Sequence, residues 1–429
     1  MAELIIPRST EIMAAVIFAL AVIHTFSTAY FEHLARIQPA HAGLWHLLGE
    51  VEAVFGFWAM VLLVFMAFQL GSNTSMHYLE SRNFTEPAFV FVIMVIAASR
   101  PIIDFAGALL VGISRVLPLP APTAYYLTVL SLGPLLGSFI TEPAAMTLSA
   151  LLLRERFVNK NAPNAFKYAT LGVLFVNVSI GGVLTPFAAP PVLMVAGTWG
   201  WDMAFMLTHF GWKAAIAVFI NAAVVTFLFR DYLKGVKTMS DALARLDVPA
   251  WVVAVHLVFL TGVVVFNHHP IVFAAFFLFF MGFTEAYHKY QSRLLIREGL
   301  MVAFFLAGLV VLGGLQKWWL QPTLEGMSPA VLYWGATFLT AITDNAALTY
   351  LGSLVDGVTD EFKYALVAGA VTGGGLTVTA PATSAYLNSS GFAILKGSFD
   401  DGAINPLGLL AAALGPTLVA AAAFLLLPG

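Results

Sequence analysis

Charge and cysteine are what this chain has least of. Only 10% of its 429 residues are Asp, Glu, Lys or Arg, against about 25% in an ordinary soluble domain, which excludes a water-facing surface of normal polarity. There is no cysteine, so a disulfide frame, a thiolate metal site and a Cys nucleophile are excluded. The net charge of −3 points to no nucleic-acid or acidic partner. Nucleotide-binding loop, HExxH helix and GxSxG elbow are all missing, which argues against an enzyme and against a bound cofactor. The first residues, MAELIIPRST, lack a basic region and a small-residue cleavage site, so the first apolar segment reads as a retained span.

What remains is hydrophobic: 60% of the residues, including 36 Phe. At about 20 residues per membrane span, the length counts spans. Apolar segments run near 10–30, 45–71 and 87–113, then 123–153, 165–197 and 211–230. The second series is 249–267, 270–287 and 294–316, then 329–356, 362–395 and 403–428. The polar run 231–248 lies between the two series and reads as a linker. It divides the chain into halves 1–230 and 249–429, each with three spans, a long fourth segment and two more spans.

Inside the fourth segments an acidic residue interrupts the apolar run. Residues 138–152, SFITEPAAMTLSALL, align without gaps on 340–354, TAITDNAALTYLGSL. Ile, Thr, Ala, Ala, Thr and Leu match, and Glu142-Pro143 stands where Asp344-Asn345 stands. A charge at membrane depth is expensive and marks a protein interior or a watery cavity. Two such charges in repeated surroundings suggest one site built by two related halves, the pattern of a transporter. About thirty residues long and broken by Gly or Pro, segments 123–153 and 329–356 fit re-entrant hairpins with tips at Glu142 and Asp344 better than plain spans. Each half then crosses the membrane five times, and the second is inverted relative to the first. This count puts Arg36, Arg115, Arg154, Arg156, Lys160, Lys167, Arg230, Lys234, Lys237, Arg245, Lys289, Arg293, Arg297 and Lys396 on one face. Only Arg8, Arg82, Lys213, Lys317 and Lys363 fall on the other, with Arg100 inside a span. The positive face is cytoplasmic, so both termini are expected outside a plasma (inner) membrane.

A second repeat follows each hairpin. FKYA occurs at 166–169 and 362–365, followed by Gly181-Gly182-Val183-Leu184-Thr185-Pro186 and by Gly373-Gly374-Gly375-Leu376-Thr377-Val378. One glycine pair would serve close helix packing. Two, at the same place after two acidic motifs, favour helices broken near 165–197 and 362–395 that expose backbone groups to an ion.

The motifs ITEPAAMT and ITDNAALT, each followed by a GGxLT break, resemble those of the ion transporter superfamily. Within it the chain is similar to the sodium/proton antiporter family related to NhaD-type antiporters, over about residues 8–428. The resemblance implies two inverted repeats with hairpin tips meeting near the membrane centre, a homodimer, and alternating access by a moving transport domain. Glu142-Pro143 departs from the second Asp-Asn pair of that pattern.

The residues themselves suit a hard cation such as Na⁺, which chooses carboxylate, hydroxyl and carbonyl oxygen. The tips offer Thr141, Glu142, Thr343, Asp344 and Asn345. The breaks offer Thr185 and Thr377 with the backbone of Gly181, Gly182, Gly373 and Gly374, while Asn177, Ser179 and Thr379 stand behind them. A carboxyl group in a poorly hydrated place holds its proton until a cation arrives, and that competition suffices for exchange. Salt bridging or helix capping is the structural alternative for either acid. Arg100 and Asp104, four apart on one helix face, neutralise each other or carry protons. Glu50 and Glu52, with His46, are solvated at the start of the second span or form a funnel. His24 and His256 read as packing residues, and His268-His269 lacks the partners of a metal site. The functional expectation is exchange of Na⁺ or Li⁺ for H⁺. The alternative is an ion-coupled carrier of an anion such as a carboxylate or arsenite, which two acidic tips would repel.

Overall fold

In lipid, backbone N–H and C=O groups must be satisfied within the protein, and a helix does this inside one segment. Every regular element among the described residues of a computed structural model of the chain is helical, as expected. The structure describes residues 6–236, 247–376, 394–399 and 404–428. Numbering only the helices used below, the first half has α1 (Arg8–Thr25), α2 (Val51–Leu70), α3 (Thr85–Ala97) and α4 (Arg100–Val116). Then come α5 (Ala121–Ile140), α6 (Glu142–Arg156), α7 (Asn164–Gly181), α8 (Pro190–Trp199) and α9 (Trp212–Leu228). The second half has α10 (Ala250–Val265), α11 (Pro270–Ala286), α12 (Ile296–Gly313), α13 (Pro329–Thr340), α14 (Asn345–Ser353), α15 (Asp360–Gly373) and α16 (Pro406–Leu426).

Among the described residues seven helices are long and apolar enough to cross a bilayer, and the pair α3–α4, taken as one span, makes an eighth. This is a multi-pass membrane protein. The helices differ from the sequence expectation in two places. The span 87–113 is not straight: α3 and α4 meet at a 65° bend, and Arg100 begins α4 there. Its side chain is 36% exposed and reaches Asp104 at 3.2 Å and Asp247, at the end of the linker, at 3.9 Å, so it sits at the bend of this broken span. Secondly, α5, expected as one arm of a hairpin, has 20 residues and is long enough to cross by itself. Of its apolar stretch 78% is buried in protein, against 39% for α2 and α16. The start of the linker is also not free, since Leu233 is buried and the Tyr232 hydroxyl donates to Phe157 O at 3.2 Å.

Lipid tails are as apolar as leucine, so helices associate here by close packing and by hydrogen bonds. One close approach is between α2 and α12, where a Cβ on Gly308 would collide with the backbone of Phe55 and Gly56. The hydrogen bonds explain the repeated FKYA. Tyr168 accepts a bond from Asn405 N at 2.9 Å, at the start of α16. Tyr364 accepts one from Lys213 Nζ at 2.9 Å, in the first turn of α9, and donates to Phe424 O at 2.9 Å. Each tyrosine thus fastens the beginning of the other half's last helix.

The α2–α12 contact makes a prediction. Gly308→Ala should cost at least the ~1–3 kcal/mol of an overpacked core, because backbone, and not a flexible side chain, stands in the way. Gly112→Ala, which meets nothing within 4 Å, should be neutral or slightly stabilising. Thermal unfolding in detergent compares the two, and equal midpoints would contradict the packing described.

Candidate functional site

The first-half break begins where α7 ends at Gly181. A single 3₁₀ turn, Gly182–Leu184, follows, then an extended Thr185 and a turn at 186–188, and helix resumes only at Pro190. Adjacent glycines, Pro186 and the pair Pro190-Pro191 give the backbone no means of continuing the helix. The groups released are gathered by Ser138 on α5. Its hydroxyl donates to Gly181 O at 2.8 Å and accepts from Leu184 N at 2.9 Å, while its carbonyl accepts from Thr185 Oγ1 at 2.7 Å. The expected ligand Thr185 is therefore committed to this brace.

Glu142 lies directly against the break: a Cβ on Gly182 would collide with its carboxyl group. Glu142 is fully buried, and neither carboxylate oxygen has a hydrogen-bond partner among the described residues. Its helix does not use it. Thr141 takes the cap position of α6 and Pro143, with no N–H, follows Glu142 in the first turn, so the side chain is not drawn back as a cap. Thr141 itself has φ 71° and ψ 150°, the only positive φ outside glycine among the described residues. A β-branched residue held in that region signals strain concentrated at a site.

The second-half motif is built differently. Asp344 caps α14, with Oδ1 accepting from Ala347 N at 2.7 Å, so the capping alternative holds for this acid. Asp344 and Asn345 are both buried. Thr343, an expected ligand just past the end of α13, donates its hydroxyl to Leu339 O of that helix at 2.7 Å. Beyond α15 only residues to 376 are described, so Thr377 and Thr379 lie outside the described residues.

The two motifs converge through the breaks. Gly374 has room for no side chain because Ser179 Oγ would stand 2.6 Å from its Cβ and Asn345 Nδ2 3.2 Å. Ser179 Oγ donates to Val371 O at 2.7 Å, and a Cβ on Gly375 would stand 2.5 Å from Val176 Cα. So α7 and α15 cross at their ends, with Gly182 and Glu142 on one side of the crossing and Gly374 and Asn345 on the other. Ser179 thus lies at this crossing. Asn177 bonds elsewhere: Nδ2 donates to Leu130 O (2.8 Å) and Val218 O (3.1 Å), and Oδ1 accepts from Asn221 Nδ2 (2.9 Å). It braces α5, α7 and α9.

Other candidates stand apart. Arg100 and Asp104 form the expected ion pair. Glu50 pairs with Arg297, beside Glu52 at the start of α2. His24 and His256 are packing residues with partners, His24 to Leu48 O and Trp58, His256 to Val252 O and Gln291. No group of three His, Asp or Glu suited to a metal occurs among the described residues. Sequence reasoning missed Ser138 and Asn221. For Ser138 a signal existed, because the ungapped repeat sets it opposite Thr340, whose hydroxyl in turn faces Gly373.

Compared with known proteins, residues 9–427 match a family described as "Putative Na+/H+ antiporter". No curated protein matches the chain.

The brace predicts a graded mutant series. Ser138→Ala strips partners from two buried backbone groups and should cost about 1–3 kcal/mol of stability. Ser138→Thr, the residue the second half uses, should recover most of it. Thermal midpoints that do not separate the two variants would refute the brace.

Proposed function

The chain belongs to this Na⁺/H⁺ antiporter family, and on that premise we propose that it exchanges Na⁺ or Li⁺ for H⁺ across the inner membrane by alternating access. One observation carries the reading: the buried Glu142 carboxyl group, without a hydrogen bond among the described residues, packed on a helix break. An ionised carboxylate left so in a protein interior is far too costly. It must hold either a proton or a cation, and that choice is the exchange reaction. With a cation bound, Glu142 supplies the charge, and carbonyls around Gly181 and Gly182, with Thr141, supply neutral oxygen. Asp344 and Asn345 form the second half's share of the site, with Asp344 held by its capping bond. Thr343 and Thr377 complete the proposed ligands, with Ser179 and Thr379 behind them.

In this reading 1–230 and 249–429 are inverted repeats and the pairs α5–α6 and α13–α14 are re-entrant hairpins. The deep burial of α5 supports an arm enclosed by protein. Both termini face outward, the linker 231–248 is cytoplasmic, and two copies form a dimer. The transported cation and proton are the only small partners, with no cofactor.

Proteoliposomes carrying a pH dye test the reaction. Na⁺ or Li⁺ should release protons and a dicarboxylate should not. Glu142→Gln should abolish exchange in folded protein, and Asp344→Asn should abolish it or shift its ion dependence. Normal exchange by Glu142→Gln would refute the assignment. Dicarboxylate-driven flux without cation exchange would favour the anion carrier.

A pH series tests the competition. Below the pKa of the exchanging carboxyl group, apparent Na⁺ affinity should weaken about tenfold per pH unit, because each tenfold excess of protons must be displaced. Above it affinity should level off. A steeper fall would mean that Glu142 and Asp344 titrate as a pair. A flat profile between about pH 5.5 and 9 would mean that protons and cations do not share the site.

A further inference from the structure

Three cavities follow one another through the protein, each sharing wall residues with the next. The first, about 370 Å³, has Glu86, Asp202 and His268 around it and is floored by Phe187 and Leu193. Those two residues also line the second, only about 20 Å³, whose other walls include Val90, Ile93 and Val302. Thr141 and Pro143 close this neck on its far side, and both belong as well to the third cavity, about 260 Å³, where Arg100, Asp104, Thr147 and Ser292 stand. Both wide cavities are polar in part, whereas Thr141 is the only polar residue of the neck. Glu142 is held between two residues that line the neck.

A water molecule needs about 10–15 Å³ of such space, so the neck holds one water at most. A cation there would have shed its hydration shell against valine, isoleucine, leucine and phenylalanine, which offer no oxygen in exchange. The strained Thr141 is the exception, placed where the neck meets the tip.

We propose that the transported ions reach Glu142 through these cavities, and that the neck formed by Val90, Ile93, Phe187, Leu193 and Val302 is the seal that couples the two fluxes. In this scheme Asp104, held by Arg100, lines the chamber on one side of the seal, and Glu86, Asp202 and His268 line the other. The inference rests on the exchange reading for the identity of the ions but not for the route itself.

The absence of native cysteine allows a clean test by single cysteines and a membrane-impermeant methanethiosulfonate reagent, in membrane vesicles of both orientations. Thr85→Cys should react from one side only and Thr147→Cys from the opposite side only. Adding Leu193→Ala to Thr147→Cys should open the seal, making Thr147→Cys react at least tenfold faster from the Thr85 side. Leu193→Ala alone should raise the leak of Na⁺ or H⁺ down its own gradient. Should Leu193→Ala fail to accumulate, Val302→Ala on the opposite wall puts the same question. Reaction of both cysteines from one side, or reaction of neither until the protein is denatured, overturns the route. Folded Leu193→Ala and Val302→Ala proteins with unchanged leak and labelling overturn the seal. Correct sidedness in a protein that exchanges no cation would leave the route standing and refute the exchange reading.

Discussion

The contact between the Glu142 carboxyl group and Gly182 governs the rest of the structure. It requires a helix that stops inside the protein, a neighbour that gathers the backbone groups released there, and an acid not spent on capping its own helix. Gly181-Gly182 supplies the stop and Ser138 the gathering. Thr141, taking the cap position in place of Glu142, leaves the carboxyl group uncommitted. Remove any of the three and Glu142 is either a cap or a buried charge that the fold cannot tolerate.

The halves carry the same motif but not the same chemistry. Asp344 is one methylene shorter than Glu142 and is followed by Asn345, which has an N–H where Pro143 has none. Its carboxylate reaches back to the helix start and caps α14. One acid is thereby held by its helix while the other has no hydrogen bond among the described residues. The crossing of α7 and α15, through Ser179, Gly374 and Asn345, brings the two breaks into contact.

Much of this was legible in the sequence because it depends on residue type and spacing. The shortage of charge announced a membrane protein, the glycine pairs announced where α7 and α15 stop, and the repeated motif announced two related acids. Bonds set by three-dimensional placement were not legible. The resemblance drew attention to the Asp344-Asn345 tip, whereas it is Glu142 that the geometry leaves without a bond, and only the different cap positions reveal this. Asn177 was expected to stand behind the ligands, yet its amide is consumed by Leu130, Val218 and Asn221. The bend at Arg100 was marked by Pro101, which can begin α4 but cannot continue α3, yet hydropathy averaging ran straight through it.

The central claim is that one buried carboxyl group gives up its proton when a cation binds. Counting protons released into weakly buffered detergent solution as Na⁺ is added to the purified protein tests this without transport. The account predicts close to one proton per Na⁺ bound at pH values below the carboxyl group's pKa, and none in Glu142→Gln. Stoichiometric Na⁺ binding across that pH range with no proton release, or undiminished release in Glu142→Gln, would contradict it.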